Sequence, residues 1–365
     1  MQKPLPLILL LVTSLMLAGC DTLGYYGQAA HGQLSLLAAR KPVVKLIADK
    51  NLDPRLKAQL VKSQEILAFA EAQGLPVEKS YSEYVDLGRP FVVWNVFAAK
   101  PDSTSLKTHC FPIAGCVGYK GYFKQAAAEA YAAELKDEGF DVFVGGVTAY
   151  STLGWFNDPL LNTFLFRPDE RLSAVLFHEL AHKVLYVEGD TVFNESYATA
   201  VERHVLRQWL KRQQRDDLYE SYLASAERRD AVIDLILGTR EQLAALYARG
   251  EAGDLNDETM LEQKAAIIAG MKQQYQALRA SWQSGNEFAG WMAQDLNNAH
   301  LAAIGAYQSQ VPGFAAMLKG KTLAAFFAEV KALAELPKSE RDQRLAELAL
   351  AEHCHTHQSD DACAN

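Results

Sequence analysis

Positive charge is scarce in this chain: 36 Lys and Arg face 44 Asp and Glu, a formal charge of -8 over 365 residues. A surface of that sign repels phosphate, which argues against nucleic-acid binding and against an electrostatic membrane patch. Internal repeats and long low-complexity tracts are absent, so no solenoid and no long disordered arm are expected. Cysteine is sparse, at five residues, too few for a scaffold built mainly of disulfides. The apolar run from Leu5 to Leu17 falls short of the roughly 20 residues that cross a bilayer as a helix. What remains is ample apolar content for a core, in one large domain or two intimate ones.

Residues 1–20 read as an export signal, with Lys3, the apolar run and then Leu17-Ala18-Gly19-Cys20. That tetrapeptide resembles a bacterial lipobox, which implies a lipidated Cys20, a bilayer partner and a protein facing the periplasm. An ordinary secretory signal and an uncleaved anchor are the alternatives. By resemblance to the enterobacterial sorting rule, Asp21 implies the inner rather than the outer membrane. The other cysteines form two close pairs, Cys110 with Cys116 and Cys354 with Cys363, and in an exported chain this favours two local disulfides. Metal binding by Cys354 with His353, His355 and His357 is the other reading of the polar tail.

The chemistry concentrates at His178-Glu179-Leu180-Ala181-His182. Histidines four apart on a helix stand one turn above each other, so their imidazoles converge on one metal ion, and Glu179 beside them can take a proton from water. Pro168 and Asp169 suit a first turn, and Leu172, Leu176 and Leu180 give the helix an apolar face. The pattern fixes only three residues, so a coincidental pair of core histidines must be weighed against it. Buried imidazoles and a carboxylate on one stripe need partners, which favours the metal.

A catalytic zinc needs a third protein ligand and an open position. Glu188 is poorly placed: Leu185 lets the helix continue, with Gly189 as its stop, and Glu188 then projects away. Asn194-Glu195-Ser196-Tyr197-Ala198 reads as a second helix, N-capped by Asn194, with Glu195 facing the histidines across small residues. Glu202, two turns on, is assigned a supporting role, accepting an imidazole N–H or bonding Arg203 or Arg207; a solvated helix charge is the bland alternative. His204 falls on the opposite face and reads as a surface residue.

A His-Glu-x-x-His helix followed by an Asn-Glu helix resembles the glutamate-zincin metallopeptidases. Gly146 to Phe156, Leu176 to His182 and Phe193 to Ala198 together resemble a bacterial family of predicted zinc aminopeptidases. The resemblance implies an α+β fold with a zincin-like core, a small sheet over the active-site helix, and a zinc ion held by His178, His182 and Glu195. It implies a peptide substrate lying along a sheet edge at Thr148, Ala149, Tyr150 and Ser151. The Gly-x-Met-Glu-Asn motif with which one aminopeptidase family grips the substrate ammonium is missing, so an envelope endopeptidase stays open. So does a non-catalytic lipoprotein whose structural metal site serves a binding module.

Along the chain, residues 21–80 read as an N-terminal helical segment and 81–210 as the catalytic core. Strands are expected within Tyr81 to Lys100, at Val117 to Phe123, Phe140 to Val144 and Val147 to Ser151, with a helix from Ala126 to Glu138. Residues 211–350 read as helices completing the cleft, including a long hairpin that gates it or binds a protein partner, and 351–365 as a polar Cys/His tail. Asn297 and Asn298 are candidates to orient a substrate backbone. Tyr307 and then His300 are candidates for the catalytic donor to the oxyanion.

Overall fold

The computed structural model describes residues 24–111, 115–149, 157–304 and 309–356. A helix α1 (24–38) leads into β1 (Lys41–Pro42), α2 (Val43–Ala48) and α3 (Pro54–Ala72). The Asp53 carboxylate accepts from the Leu56 N–H and Pro54 opens the first turn, so α3 begins where its sequence says it should. Then come β2 (Glu83–Val85), β3 (Val93–Ala99), β4 (His109–Phe111), β5 (Gly115–Val117), β6 (Lys120–Tyr122), α4 (Gln125–Asp137), β7 (Asp141–Val147), β8 (Leu160–Leu161) and α5 (Asn162–Leu165). The rest is helix: α6 (Asp169–His182), α7 (Thr191–Arg212), α8 (Asp216–Glu251), α9 (Asp257–Ala280), α10 (Ala289–Met292), α11 (Asn298–Ala303), α12 (Val311–Leu318), α13 (Leu323–Ala334) and α14 (Lys338–Thr356). The chain is therefore α+β, with small sheets and a dominant helical part, and no described helix is long and apolar enough to cross a membrane.

Strands β6, β3 and β7 form an antiparallel sheet in that order, with Trp94 opposite Gly146 and Val96 opposite Val144. Alternation in β3 buries Trp94, Val96 and Ala98 against Ala128, Ala132 and Leu135 of α4. Two strands were expected at 140–151; among the described residues there is one, Asp141–Val147, which runs through the glycine pair, and Tyr150 and Ser151 lie outside the described residues. The Phe91 ring lies over Gly146, where a Cβ would come within 2.4 Å of it, so glycine serves close packing here rather than a break. The strand expected at 117–123 is divided, β5 pairing with β4 and β6 with β3. The Cys110–Cys116 disulfide bridges β4 to β5; Cys363 and the Cys354 side chain lie outside the described residues. A second small sheet, β1-β2-β8, has one antiparallel and one parallel pair.

Helices α3, α6 and α7 share the largest core, built on Leu60, Ile66, Leu176, Phe177, Leu180 and Val201. The C-terminal helices fold back onto it, with Phe314 against Phe193 at 5.1 Å and Phe326 stacked on Tyr197 at 6.0 Å between ring centroids. At Gly313 a Cβ would lie 2.4 Å from the Leu345 carbonyl, so glycine lets α12 press against α14. Helices α8 and α9 form the expected hairpin, with its own core around Val232, Ile236, Leu243, Met271 and Tyr275. The region expected as one helical unit thus divides: the hairpin makes a separate core, and α12–α14 complete the core around α6.

Asp190 ties the C-terminus to this core. It accepts from Arg341 at 2.7 Å and from Lys338 at 3.1 Å, and both Asp190 and Arg341 are buried. Burial alone would raise the Asp190 pKa, but the Arg341 and Lys338 bonds outweigh it and hold the carboxyl below its ordinary 3.8. A depressed folded-state value gives stability that is complete above the unfolded pKa and lost as pH falls through the folded one. Thermal melts should therefore lose stability below about pH 4 more steeply in wild type than in Asp190→Asn. At pH 7 the variant should be less stable by about 3–5 kcal/mol, because Arg341 is left as a buried unpaired charge.

Candidate metal centre

Helix α6 starts with Asp169 and Glu170 in its first turn, where acidic groups suit the helix dipole, and it ends at His182. It does not continue past Leu185 toward Gly189 as expected. Lys183 ends it, its ammonium reaching back to the Pro76 carbonyl at 2.9 Å and the Ser80 hydroxyl at 3.0 Å. Helix α7 also begins earlier than expected, at Thr191 with Asp190 as N-cap accepting from the Phe193 N–H. Asn194 is not the cap. Its side-chain amide instead clasps residue 187, accepting from the Val187 N–H at 2.8 Å and donating to the Val187 carbonyl at 2.7 Å. This pins the turn between the helices and so sets how α7 returns along α6.

That return brings Glu195 to the histidines. Nε2 of His178 lies 3.2 Å from Nε2 of His182 and 3.2 Å from Oε2 of Glu195, and His182 Nε2 is 3.6 Å from Glu195 Oε1. One ligand atom from each of these three residues lies within 4.8 Å of the others, and no other such group occurs among the described residues. Glu188 is exposed and outside it. On the other side of the His178 ring, Nδ1 lies 3.0 Å from Glu202 Oε2, and the Tyr222 hydroxyl donates to Glu202 Oε1. A carboxylate holding Nδ1–H fixes the tautomer and presents the Nε2 lone pair, the arrangement expected behind a metal-binding histidine.

The electrostatics fit a cation at that point. Burial works against charge on His178, but the hydrogen bonds to Glu195 and Glu202 win and raise its pKa to about 10. Burial, and then the charge on His178, lowers His182 to about 4. Burial opposes ionisation of Glu195, but the His178 hydrogen bond and charge hold its pKa below the ordinary value. Two facing ring nitrogens cannot both point lone pairs at each other favourably; protonation of His178 toward Glu195 would relieve them, and a divalent ion would do so with all three donors. His182 Nδ1 is buried without a hydrogen-bond partner. Two imidazoles and a carboxylate form a donor set that suits zinc. Burial raises the Glu179 pKa to about 7, against the opposing charge of His178 and with help from Glu195 and Asp158.

Glu202→Gln keeps the shape of the side chain but weakens its hold on the His178 N–H. Divalent-ion affinity, measured by competition with a chromophoric chelator, should fall roughly 10- to 100-fold. Unchanged affinity would remove Glu202 from the site.

Several sequence candidates are placed elsewhere. Asn297 caps α11 and donates to the Val142 carbonyl at 3.1 Å, while Asn298 donates to the Lys100 and Pro101 carbonyls and accepts from Tyr247. These bonds clamp α11 to the ends of β3 and β7, and neither asparagine is among the residues gathered at His178, His182 and Glu195. His300 is buried beside Phe143, at 4.4 Å between ring centroids, with Nδ1 2.8 Å from Asn297 Oδ1, and burial lowers its pKa to about 4. It packs in this clamp and is not one of the residues gathered at His178, His182 and Glu195. Thr148 lies past the end of β7; its hydroxyl accepts from Arg167 at 2.6 Å and its carbonyl from Thr163. Ala149 shares a small cavity with Glu179. Tyr150, Ser151, Tyr307 and Cys20 lie outside the described residues. His204 is half-buried, bonded to Gln208, on the wall of a cleft of ≈ 740 Å³. Tyr222 and Tyr81, both against the acidic residues of this site, were not foreseen, because each comes from an element remote in sequence and carries no motif.

A protein-family model described as "Putative aminopeptidase" matches residues 24–345. The chain belongs to this aminopeptidase family. The match takes in every element from α1 into α14, so the aminopeptidase family includes the helical hairpin and the folded-back helices as well as the two site helices. No curated protein and no solved structure matches the chain.

Proposed function

We propose that this protein is a zinc-dependent aminopeptidase, anchored to a membrane through a lipidated Cys20 and acting on peptides in the bacterial periplasm. The observation that carries the reading is the convergence of His178, His182 and Glu195 beside Glu179, in a chain of an aminopeptidase family. His178, His182 and Glu195 are the ligands, and Glu202 with Tyr222 holds His178 in its ligating orientation. A zinc ion held there would supply Lewis acidity for the scissile carbonyl and for the attacking water at neutral pH. Glu179, with its pKa near 7, takes the proton of the attacking water and returns it to the leaving amine. Leu17-Ala18-Gly19-Cys20 supports the anchor, and Asp21 favours the inner membrane.

The absence of a Gly-x-Met-Glu-Asn motif supports a second enzymatic reading, an endopeptidase of envelope proteins. Soluble protein beginning after Cys20, incubated with a mixed peptide library and zinc and read by mass spectrometry, separates the two. Stepwise loss of N-terminal residues, blocked by N-acetylation, is the expected result. Internal cuts would make it an endopeptidase, and bound zinc without cleavage would favour a structural site in a binding lipoprotein.

A further inference from the structure

Tyr81 stands in the loop before β2 with φ +62°, a left-handed conformation that a bulky aromatic residue adopts only when its surroundings impose it. They do so here. Its N–H donates to the Asp158 carbonyl at 2.7 Å, its ring meets Phe164 edge-on, and the side chain is 5% exposed. The strained backbone aims the phenol into a small cavity whose other walls include Glu179, Val175, Ala149 and Asp158. Among the described residues the Tyr81 hydroxyl has no hydrogen-bond partner, and neither does the Glu179 carboxylate. A water in this cavity can bond both groups at once. The cavity has about 10 Å³ of accessible volume, which is the room one water needs.

We propose that Tyr81 is a positioning residue for Glu179, holding the base through one water that accepts from the phenol and donates to the carboxylate. This rests on the peptidase reading of the site. The hydrogen-bond polarity is fixed, since burial and then the Glu179 and Asp158 charges push the phenol's pKa up and keep it a donor. With one oxygen tethered toward the cavity, the other is left to face the reacting water. An untethered carboxylate on a flexible side chain would share its time among rotamers, and fewer molecules would be ready to react.

Tyr81→Phe in the full chain removes the hydroxyl alone and keeps the ring and backbone. The expected result is a kcat lower by roughly 10- to 100-fold with KM, zinc content and Tm unchanged. In a Glu179→Asp background, where the base is already displaced, adding Tyr81→Phe should cost less than about threefold. Equal losses in both backgrounds would mean that Tyr81 acts apart from Glu179 and would overturn the proposal. So would a fall in Tm and zinc content along with kcat, which marks a structural role. If Glu179→Gln is inactive while Tyr81→Phe stays within about twofold of wild type, the inference fails and the peptidase reading stands. A wild type that cleaves nothing overturns both.

Discussion

Glu179→Gln should abolish nearly all peptide hydrolysis and leave the metal in place. Removing a general base costs about 10²- to 10⁴-fold, and the loss should fall on kcat with little change in KM, because the proton transfer is made only in the transition state. The variant is a clean probe for a structural reason. Glu179 is buried enough to raise its pKa to about 7, so the protein already holds a carboxyl whose neutral form is well tolerated. Glutamine reproduces that neutral shape. Its Tm should match or exceed that of wild type, and zinc bound by His178, His182 and Glu195 should persist. Hydrolysis at wild-type rate would sink the role given to Glu179, whatever the metal content.

The second large effect belongs to His178. This ring is the hub of the cluster, touching Glu195 through Nε2 and Glu202 through Nδ1. His178→Ala removes one ligand and leaves the two carboxylates, both drawn toward one imidazole, without the group between them. Zinc should be lost on dialysis, measured by elemental analysis, and activity with it. Stability should fall as well, by about 1–3 kcal/mol, because Glu202 is 8% exposed and, among the described residues, keeps only Tyr222 as a side-chain hydrogen-bond partner. His204→Ala is the matched control, a histidine of α7 directed to another face and bonded to Gln208; it should keep both zinc and activity. Full zinc occupancy in His178→Ala would place the metal elsewhere or nowhere.

The parts of this molecule that were legible in advance are those governed by neighbours in sequence. His178 and His182 stack on one face of α6 because of the 3.6-residue repeat, and the same repeat puts Glu195 and Glu202 on one face of α7. Alternation in β3 and the apolar periodicity of α8 and α9 announced a strand and a hairpin for like reasons. Helix ends were read less well. Leu185 is compatible with helix, yet α6 stops at His182 because Lys183 is drawn to Pro76 and Ser80, about a hundred residues away in sequence. Asn194 has the chemistry of a cap, but tertiary position gave that task to Asp190 and made Asn194 a clasp on Val187. Asn297 and His300, candidates by their chemistry alone, are held in capping and packing contacts, since α11 docks on the ends of β3 and β7.

By itself, then, the sequence determined the candidate donors, their spacing along each helix and the apolar faces that would be buried. Only the tertiary structure decided which donors meet. The approach of α7 to α6 depends on a turn pinned by Asn194 and on a helix start anchored by Asp190 to Arg341, and the cluster's outer support depends on Tyr222 arriving from α8. The reason is physical: backbone geometry dictates side-chain placement within one helix, whereas the relation between two helices is the sum of many remote contacts, none of which has a local signature.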